Sequence, residues 1–388
     1  MTYSDKNIPK LTPREHIRRR PGVYVGGTGK RGLHHLVYEI LDHMAEEAYI
    51  NRCDHIWVDI LANDKIRLRD NSQGLPTERY EGTDLIWLEA IIEDLGVPKT
   101  KFDEDAYKVM GGLHGLGIAP VNMLSQNFTI ENYRNGTYWR KTYQQGIASS
   151  PLIRISDEQS QSTQGLLVEF QPDETIFDDV NFDRTTVENR AEQIARLTPN
   201  LTVEVTDHRE PNSDTTIFYY AEGLKTWVEE QTKSSHIFHN VIHIQEEVKI
   251  PTENNPNRMI GIEIAFQFSD SSEGQVLGYV NTVRTPKGGT HIAPLKATIL
   301  SALNEYIEYE YSDFDSKNLL TWNDIKDGLF AVISIRHPDP QFQSPTKLRL
   351  NNKDIYGAVA NLIYSNFNWD YYNNRKMIDS ILNHLLGE

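Results

Sequence analysis

Two carboxylates and one glycine-rich run have the types and spacing to do chemistry. Glu39 and His43 sit four apart in VYEILDHMAEEA (37–48), so on a helix both side chains project from one face, a turn apart. Asp70 opens the turn-forming stretch DNSQGLP (70–76), and GGLHGLG (111–117) precedes an apolar segment. Each has an ordinary explanation: a solvated helix face, a plain turn, a flexible loop. Together they are the parts of a nucleotide site: a carboxylate on a rigid helix, a glycine turn leaving a strand, and a glycine loop at a helix N-terminus. Such a loop turns backbone N–H groups toward phosphate oxygens, and the helix dipole favours the negative charge.

The elements that would position these residues are readable from periodicity. Leu33, Leu36, Val37, Ile40, Leu41 and Met44 recur at three- and four-residue steps, which predicts a helix with one apolar stripe. HIWVDILAN (55–63) and KIRLRD (65–70) alternate as strands around Asn63-Asp64. DLIWLEAIIEDLG (84–96) predicts an amphipathic helix ending at a glycine. FTIENY and TYWRKTY flank Arg134-Asn135-Gly136, a hairpin signal; GLLVEFQPD is a further strand, followed by a helix over 184–197 capped by Asp183 and the strand LTVEVTD. This is an α+β sandwich, a mixed sheet with helices on one side. A seam is expected near 219–224, after the polar stretch DHREPNSDTT. Beyond it come three strands (NVIHIQEEV, MIGIEIAFQF, QVLGYVNTV), the loop PKGGTH, a long helix, the strand GLFAVISIRH and helices over 352–366 and 375–386, a second α+β domain.

Composition narrows the class. The 388 residues are 38% hydrophobic and 24% charged, which suits a globular chain of two or three domains. No apolar run could cross a bilayer, the N-terminus has no signal-peptide core, and the lone Cys53 excludes an internal disulfide framework; a cytoplasmic protein with no membrane partner is expected. Acids outnumber bases 55 to 39, for a formal charge of −16. DNA contact by this chain alone is then weak unless a local channel, such as one built from Arg14, Arg18, Arg19 and Arg20, compensates.

Longer motifs make a family resemblance specific. RRRPGVYVGGTGKRGLHHLVYEILD (18–42), DNSQGLP, KFDEDAYKVMGGLHGLG (101–117) with VNMLSQ, GGTH (288–291) and GLFAVISIRHPDPQFQSPTK (328–347) follow one another in family order. The sequence resembles the N-terminal ATPase region of DNA gyrase B and its topoisomerase IV counterpart, within the Bergerat-fold (GHKL) ATPases. The resemblance implies a GHKL α/β sandwich with an N-terminal dimerisation arm over 1–218 and a ribosomal-protein-S5-like transducer domain over 219–388.

It also implies roles. Glu39 takes the place of the general base that polarises the water attacking the γ-phosphate of ATP, and Lys347 that of the transducer lysine sensing that phosphate. Asp70 takes the adenine-reading place, with Gly74, Leu75 and Pro76 in the turn beneath the base. Tyr107, Gly112, Leu113, His114, Gly115, Leu116 and Gly117 fall in the phosphate-covering lid, with Lys101 and Lys108 beside it. Arg140 matches an arginine that contacts aminocoumarin-type inhibitors; Tyr3 and Ile8 match an arm that wraps the second protomer. ATP and Mg²⁺ are the implied cofactors. A homodimer closed by ATP is the implied assembly, with a gyrase A-like protein and double-stranded DNA as partners in a complete enzyme.

The match has departures. His43 stands where the family has an asparagine that helps hold Mg²⁺, and an imidazole is a poorer ligand for this hard cation. Ser72 and Gln73 replace a glycine and an arginine, Leu166 a threonine, Thr100 a lid glycine, and Pro345 a glutamine. They raise the expectation of slowed turnover. Asp313 and Asp315, in EYSDFDSKN, read as a solvated loop, so no DNA cleavage is expected from these residues. Two functions stand against each other: the ATP-operated clamp of a type IIA topoisomerase, and a free-standing, catalytically weakened nucleotide-gated dimerisation module with a regulatory or protective role.

Overall fold

The computed structural model describes residues 11–80, 82–95, 97, 117–156, 164–253, 255–310, 319–344, 347–366 and 375–386. The chain divides into two compact units, with the main break between Ala221 and Glu222.

In the first unit the order is α1 (Pro13–Arg19), α2 (Pro21–Val25), α3 (Lys30–Tyr49), β1 (His55–Leu61), β2 (Lys65–Asp70), α4 (Trp87–Glu93), α5 (Ile118–Met123), β3 (Ser125–Arg134), β4 (Thr137–Gln144), β5 (Ile147–Ala148), β6 (Ile153–Ser156), β7 (Gly165–Pro172), α6 (Arg184–Leu197), β8 (Thr202–Asp207) and β9 (Asp214–Tyr219). The strands form one nine-stranded sheet in the order β5-β4-β3-β7-β2-β1-β8-β9, with β6 paired to β4. The β1–β8 pair is parallel and the others are antiparallel. Burial alternates strictly along β1, so one face is buried and the other meets water. Leu33, Leu36, Val37, Ile40, Leu41 and Met44 of α3 are fully buried in one core with Ile56, Val58, Ile66, Leu68, Val168 and Val203 of the sheet.

Local sequence explains the connections. Asn63 and Asp64 (φ 60° and 56°) and Asn135 and Gly136 (φ 51° and 68°) adopt the left-handed pairs that suit two-residue hairpins. Asp183 caps α6 by accepting from Thr186 N–H at 2.7 Å. Helix α4 is shorter than its pattern predicts. The Leu85 carbonyl accepts from Tyr80 N–H at 2.9 Å and Ile86 bridges to Arg79, which keeps those residues extended until Trp87.

The second unit comprises α7 (Leu224–Thr232), β10 (Ile242–Lys249), β11 (Met259–Phe268), β12 (Gln275–Val280), β13 (Val283–Arg284), α8 (Ile292–Glu310), α9 (Trp322–Ile325), β14 (Leu329–Arg336), α10 (Lys353–Asn366) and α11 (Arg375–Leu386). Its five strands are ordered β10-β11-β14-β12-β13, with β12 and β14 parallel across the α8 connection. β11 and β14 are buried along nearly their whole length, which is why they read as continuous apolar runs. Among the described residues no helix is long and apolar enough to cross a membrane.

Candidate nucleotide site

Asp70 ends β2 with its side chain on the buried face, 2% exposed. Its Oδ1 accepts from the N–H of Leu166 at 2.9 Å and of Ser72 at 3.0 Å. Its Oδ2 is buried and, among the described residues, has no hydrogen-bond partner. Burial pushes the Asp70 carboxyl up to about 6, while the bonds from Leu166 and Ser72 pull the other way. A buried acceptor with an unused lone pair is costly unless something arrives to donate to it. Behind Asp70, Gly165 holds φ +124°, and a Cβ there would lie 2.2 Å from the Asp70 carbonyl oxygen. Only glycine fits that approach.

The turn after Asp70 is fixed from the neighbouring strand β3. Gly74 has φ +72°, and a Cβ on it would come within 2.6 Å of Asn132 Oδ1 and 2.8 Å of the Tyr133 carbonyl. Asn132 accepts from Leu75 N–H at 2.7 Å and donates to the Leu75 carbonyl at 3.0 Å. Arg134 donates to the Gly74 carbonyl at 2.7 Å, and Gly74 N–H donates to Ser72 Oγ at 3.1 Å. Leu75 and Pro76 are buried beneath.

Glu39 lies mid-way along α3, half-buried, with Oε1 3.0 Å from Nε2 of His35 one turn earlier. Gly117 caps α5, and a Cβ there would meet Glu39 Oε2 at 3.1 Å. The end of the glycine-rich run therefore rests against the carboxylate. His43 is half-buried one turn beyond Glu39. The helix is anchored by an ion pair between Asp42 and Arg190 of α6, both buried, with the Arg190 guanidinium 5.4 Å from the Tyr38 ring centre.

The structure brings Asp70, Gly74, Leu75 and Pro76 together, and Glu39 to Gly117. Arg140 is not brought to Asp70. Asp70, Leu166 and Asn132 share the buried face of the sheet, whereas Arg140 pairs across strands with Glu131, whose β7 neighbour Leu167 is opposite Arg69, all on the other face. There Arg140 Nε stands 3.5 Å from Glu131 Oε1. Two arginines weighed as a DNA channel are used internally: Arg14 donates to the Gln145 carbonyl, and Arg18 to the Met123 carbonyl and Asp173. Tyr3, Ile8, Thr100, Lys101, Tyr107, Lys108, Gly112, Leu113, His114, Gly115, Leu116, Asp313, Asp315 and Pro345 lie outside the described residues.

Sequence reasoning missed Asn132, Arg134, Gly165 and His35. Asn132 left a signal: it takes an inward position in the alternation Phe128, Ile130, Asn132, where an apolar residue is expected. His35 also left one, four residues before Glu39.

Lys347 belongs to the second unit. It is 7% exposed and takes φ +54°. The strand-like segment after it is fastened to the GGTH loop: Lys287 N–H donates to the Leu348 carbonyl at 2.9 Å, Leu350 N–H to Gly288 at 3.1 Å, and Thr290 N–H to Leu350 at 3.2 Å. A Cβ on Gly289 would lie 2.4 Å from the Leu350 carbonyl oxygen, so the close approach requires glycine. His291 is fully buried beside Thr285 Oγ1 at 2.9 Å, and burial lowers its pKa to about 3.

The described geometry of the first unit suits an adenine nucleotide: an orphaned buried acceptor at Asp70, a turn in which a side chain at position 74 is excluded, and a carboxylate facing a glycine-started helix. No cluster of three or more metal-ligating side chains is formed among the described residues.

Comparison with known proteins bears on both units. Residues 28–176 match the family model described as histidine kinase-, DNA gyrase B-, and HSP90-like ATPase, and residues 223–388 match the DNA gyrase B model. DNA gyrase B of Thermotoga maritima is 33% identical over 385 residues, 99% of this chain and 59% of that protein. Its Clostridium acetobutylicum counterpart is 34% identical over 363 residues, 93% of this chain and 55% of that protein. The chain thus spans a little over half the length of these curated relatives. Among solved structures, the 43K ATPase domain of Thermus thermophilus gyrase B, in complex with an aminocoumarin, is similar at 25% identity and a TM-score of 0.77, covering 97% of this chain and 94% of that one. A topoisomerase IV ATP-binding domain from Francisella tularensis shares the fold at 23% identity and a TM-score of 0.75, covering 97% of each chain.

Proposed function

We propose, on the premise that the chain belongs to the DNA gyrase B family in its ATPase region, that it binds and hydrolyses ATP as the N-terminal clamp of a type IIA topoisomerase. We read the first unit as the ATPase domain, expected over 1–218, and the second as the transducer domain, expected over 219–388. The observation that carries the reading is Asp70: a buried carboxylate held by one oxygen, with the other oxygen unpartnered among the described residues. That oxygen suits the exocyclic amine of adenine, a donor, and would repel the carbonyl edge of guanine.

Glu39 serves as general base. Its carboxylate accepts hydrogen bonding from the attacking water while His35 holds it in place. Gly117 keeps the space in front of Glu39 clear of side chain, so the phosphate end of the nucleotide can reach it. Lys347 supplies a positive charge to the terminal phosphate from the transducer domain. His43, one turn beyond Glu39 on α3, is the side chain that would help hold Mg²⁺, whose charge would offset that of the phosphates. ATP then closes two copies of the chain into a dimer, and a gyrase A-like protein and double-stranded DNA complete the assembly.

His43 favours the second reading, in which nucleotide drives dimerisation with little turnover. Sedimentation with a non-hydrolysable ATP analogue, alongside steady-state hydrolysis, tests both. Dimer and turnover together support the clamp; dimer without turnover supports the module. Absence of nucleotide binding by calorimetry sinks both.

A further inference from the structure

We infer that Asn132 is a positioning residue for the base pocket, setting the preference for adenine over guanine by locking the turn that faces Asp70; the inference rests on the nucleotide reading above. Asn132 is completely buried on β3, at a position where the strand's alternation calls for an apolar side chain. A buried amide is costly unless both its ends are bonded. Here both ends are spent on one residue 57 positions away in sequence, the N–H and the carbonyl of Leu75.

Arg134, two residues along the same strand, takes the Gly74 carbonyl, and Ser72 Oγ takes the Gly74 N–H. Four successive backbone groups of the turn are therefore committed to fixed partners. Neither N–H is left to swing toward a base and offer a donor in place of the Asp70 acceptor. Asn132 also helps to fix glycine at 74, because a Cβ there would lie 2.6 Å from Asn132 Oδ1 and 2.8 Å from the Tyr133 carbonyl. Asp70 is held from outside the turn by Leu166 N–H on β7, with Ser72 N–H, at the start of the turn, as a second donor. Loosening the turn thus leaves the acceptor in place but frees Leu75 N–H, a donor that a guanine carbonyl can use. Preorganisation of this kind acts on selectivity more than on total affinity.

The experiment is calorimetric titration of the full chain, its Asn132→Ala variant and its Arg134→Ala variant with ATP and with GTP, Mg²⁺ present throughout. Asn132→Ala should lower ATP affinity about tenfold while GTP affinity holds or rises, collapsing the ratio. Arg134→Ala, which removes a half-exposed side chain, should shift the ratio in the same direction by a smaller factor, and decides the matter if Asn132→Ala fails to fold. Parallel losses for the two nucleotides, or an unchanged ratio in both variants, overturn the inference. A wild-type chain that takes up no ATP would instead fail the nucleotide reading itself.

Discussion

Leu166 donates its backbone N–H to Asp70 Oδ1 at 2.9 Å, so the carboxylate is gripped at one oxygen and open at the other. The grip comes from the main chain of β7, and the side chain at 166 takes no part in it. A leucine where the resemblance expects threonine therefore leaves the Asp70 geometry intact and removes only a hydroxyl from the pocket floor. The same economy holds at Ser72, whose N–H also binds Oδ1 and whose hydroxyl receives Gly74 N–H. These departures from the family pattern leave Asp70, the group proposed to read the base, in place.

Asp70 carries a charge in a buried setting, which gives a stability prediction with a definite sign. Its folded pKa of about 6 lies above the free value of 3.8. Between these pH values the folded chain holds a proton that the unfolded chain has released. Stability from this group therefore rises as pH falls through 6, and is full below 3.8. Above pH 6 the ionised group costs about 3 kcal/mol, at about 1.4 kcal/mol per pH unit. Asp70→Asn should then unfold at higher urea at pH 8, lose that advantage near pH 4, and bind no ATP at either pH. Wild-type affinity for ATP should weaken as pH drops below 6. Urea titrations at the two pH values check this, and a variant less stable than wild type at pH 8 would refute it.

Variants of Glu39 and His35 should separate binding from turnover. Glu39→Gln keeps the size and hydrogen-bonding capacity of the side chain but not its basicity, so hydrolysis should fall at least about a hundredfold with ATP affinity nearly unchanged. His35→Ala removes the 3.0 Å partner, and a loosened base should cost about tenfold in kcat with little change in KM. Steady-state kinetics on the two variants provides the check. Equal losses in KM for both would mean that the pair holds nucleotide and does not act on water.

Much of this site was legible in the sequence because its parts are local. The stripe of α3 repeats at helical spacing, Asn135-Gly136 announces its hairpin, and Asp70 leads a turn with glycine where positive φ is needed. What stayed hidden depends on distant partners. Asn132 matters through Leu75, and Gly165 through the Asp70 carbonyl, contacts that no local pattern encodes. β9 was hidden for another reason. It begins inside the polar stretch after β8 and lies at the sheet edge, mostly exposed, held by backbone pairing with Thr202–Asp207. Helix α7 also escaped notice, because its buried Leu224, Trp227 and Val228 fill barely two turns.

Gly165→Ala tests the tight approach behind Asp70. The methyl would lie 2.2 Å from the Asp70 carbonyl oxygen, and φ +124° is strained for any residue with a Cβ. Backbone on both sides must move, separating β7 from β2 where Leu166 N–H reaches Asp70. A loss of roughly 3 kcal/mol or more is expected, with ATP binding lost in whatever folded fraction remains. Thermal unfolding followed by circular dichroism measures the first effect, and nucleotide titration the second.

The Asp42–Arg190 pair fastens the Glu39 helix to α6, and both side chains are buried. Burying two charges is repaid only while both are present, so breaking the pair costs more than the pair is worth. Arg190→Met removes the buried guanidinium that Asp42 pairs with and should destabilise the chain by about 3–5 kcal/mol. Asp42→Leu with Arg190→Met removes both charges and should recover most of that loss. Because Asp42 lies three residues after Glu39, the single variant should also lose hydrolysis beyond what its folded fraction explains, and the double variant should regain it. Chemical denaturation of the two variants, with hydrolysis rates normalised to folded protein, resolves the two effects. A double variant as unstable as the single one would show that the guanidinium ties α6 to α3 by some contact other than Asp42, such as its position over the Tyr38 ring.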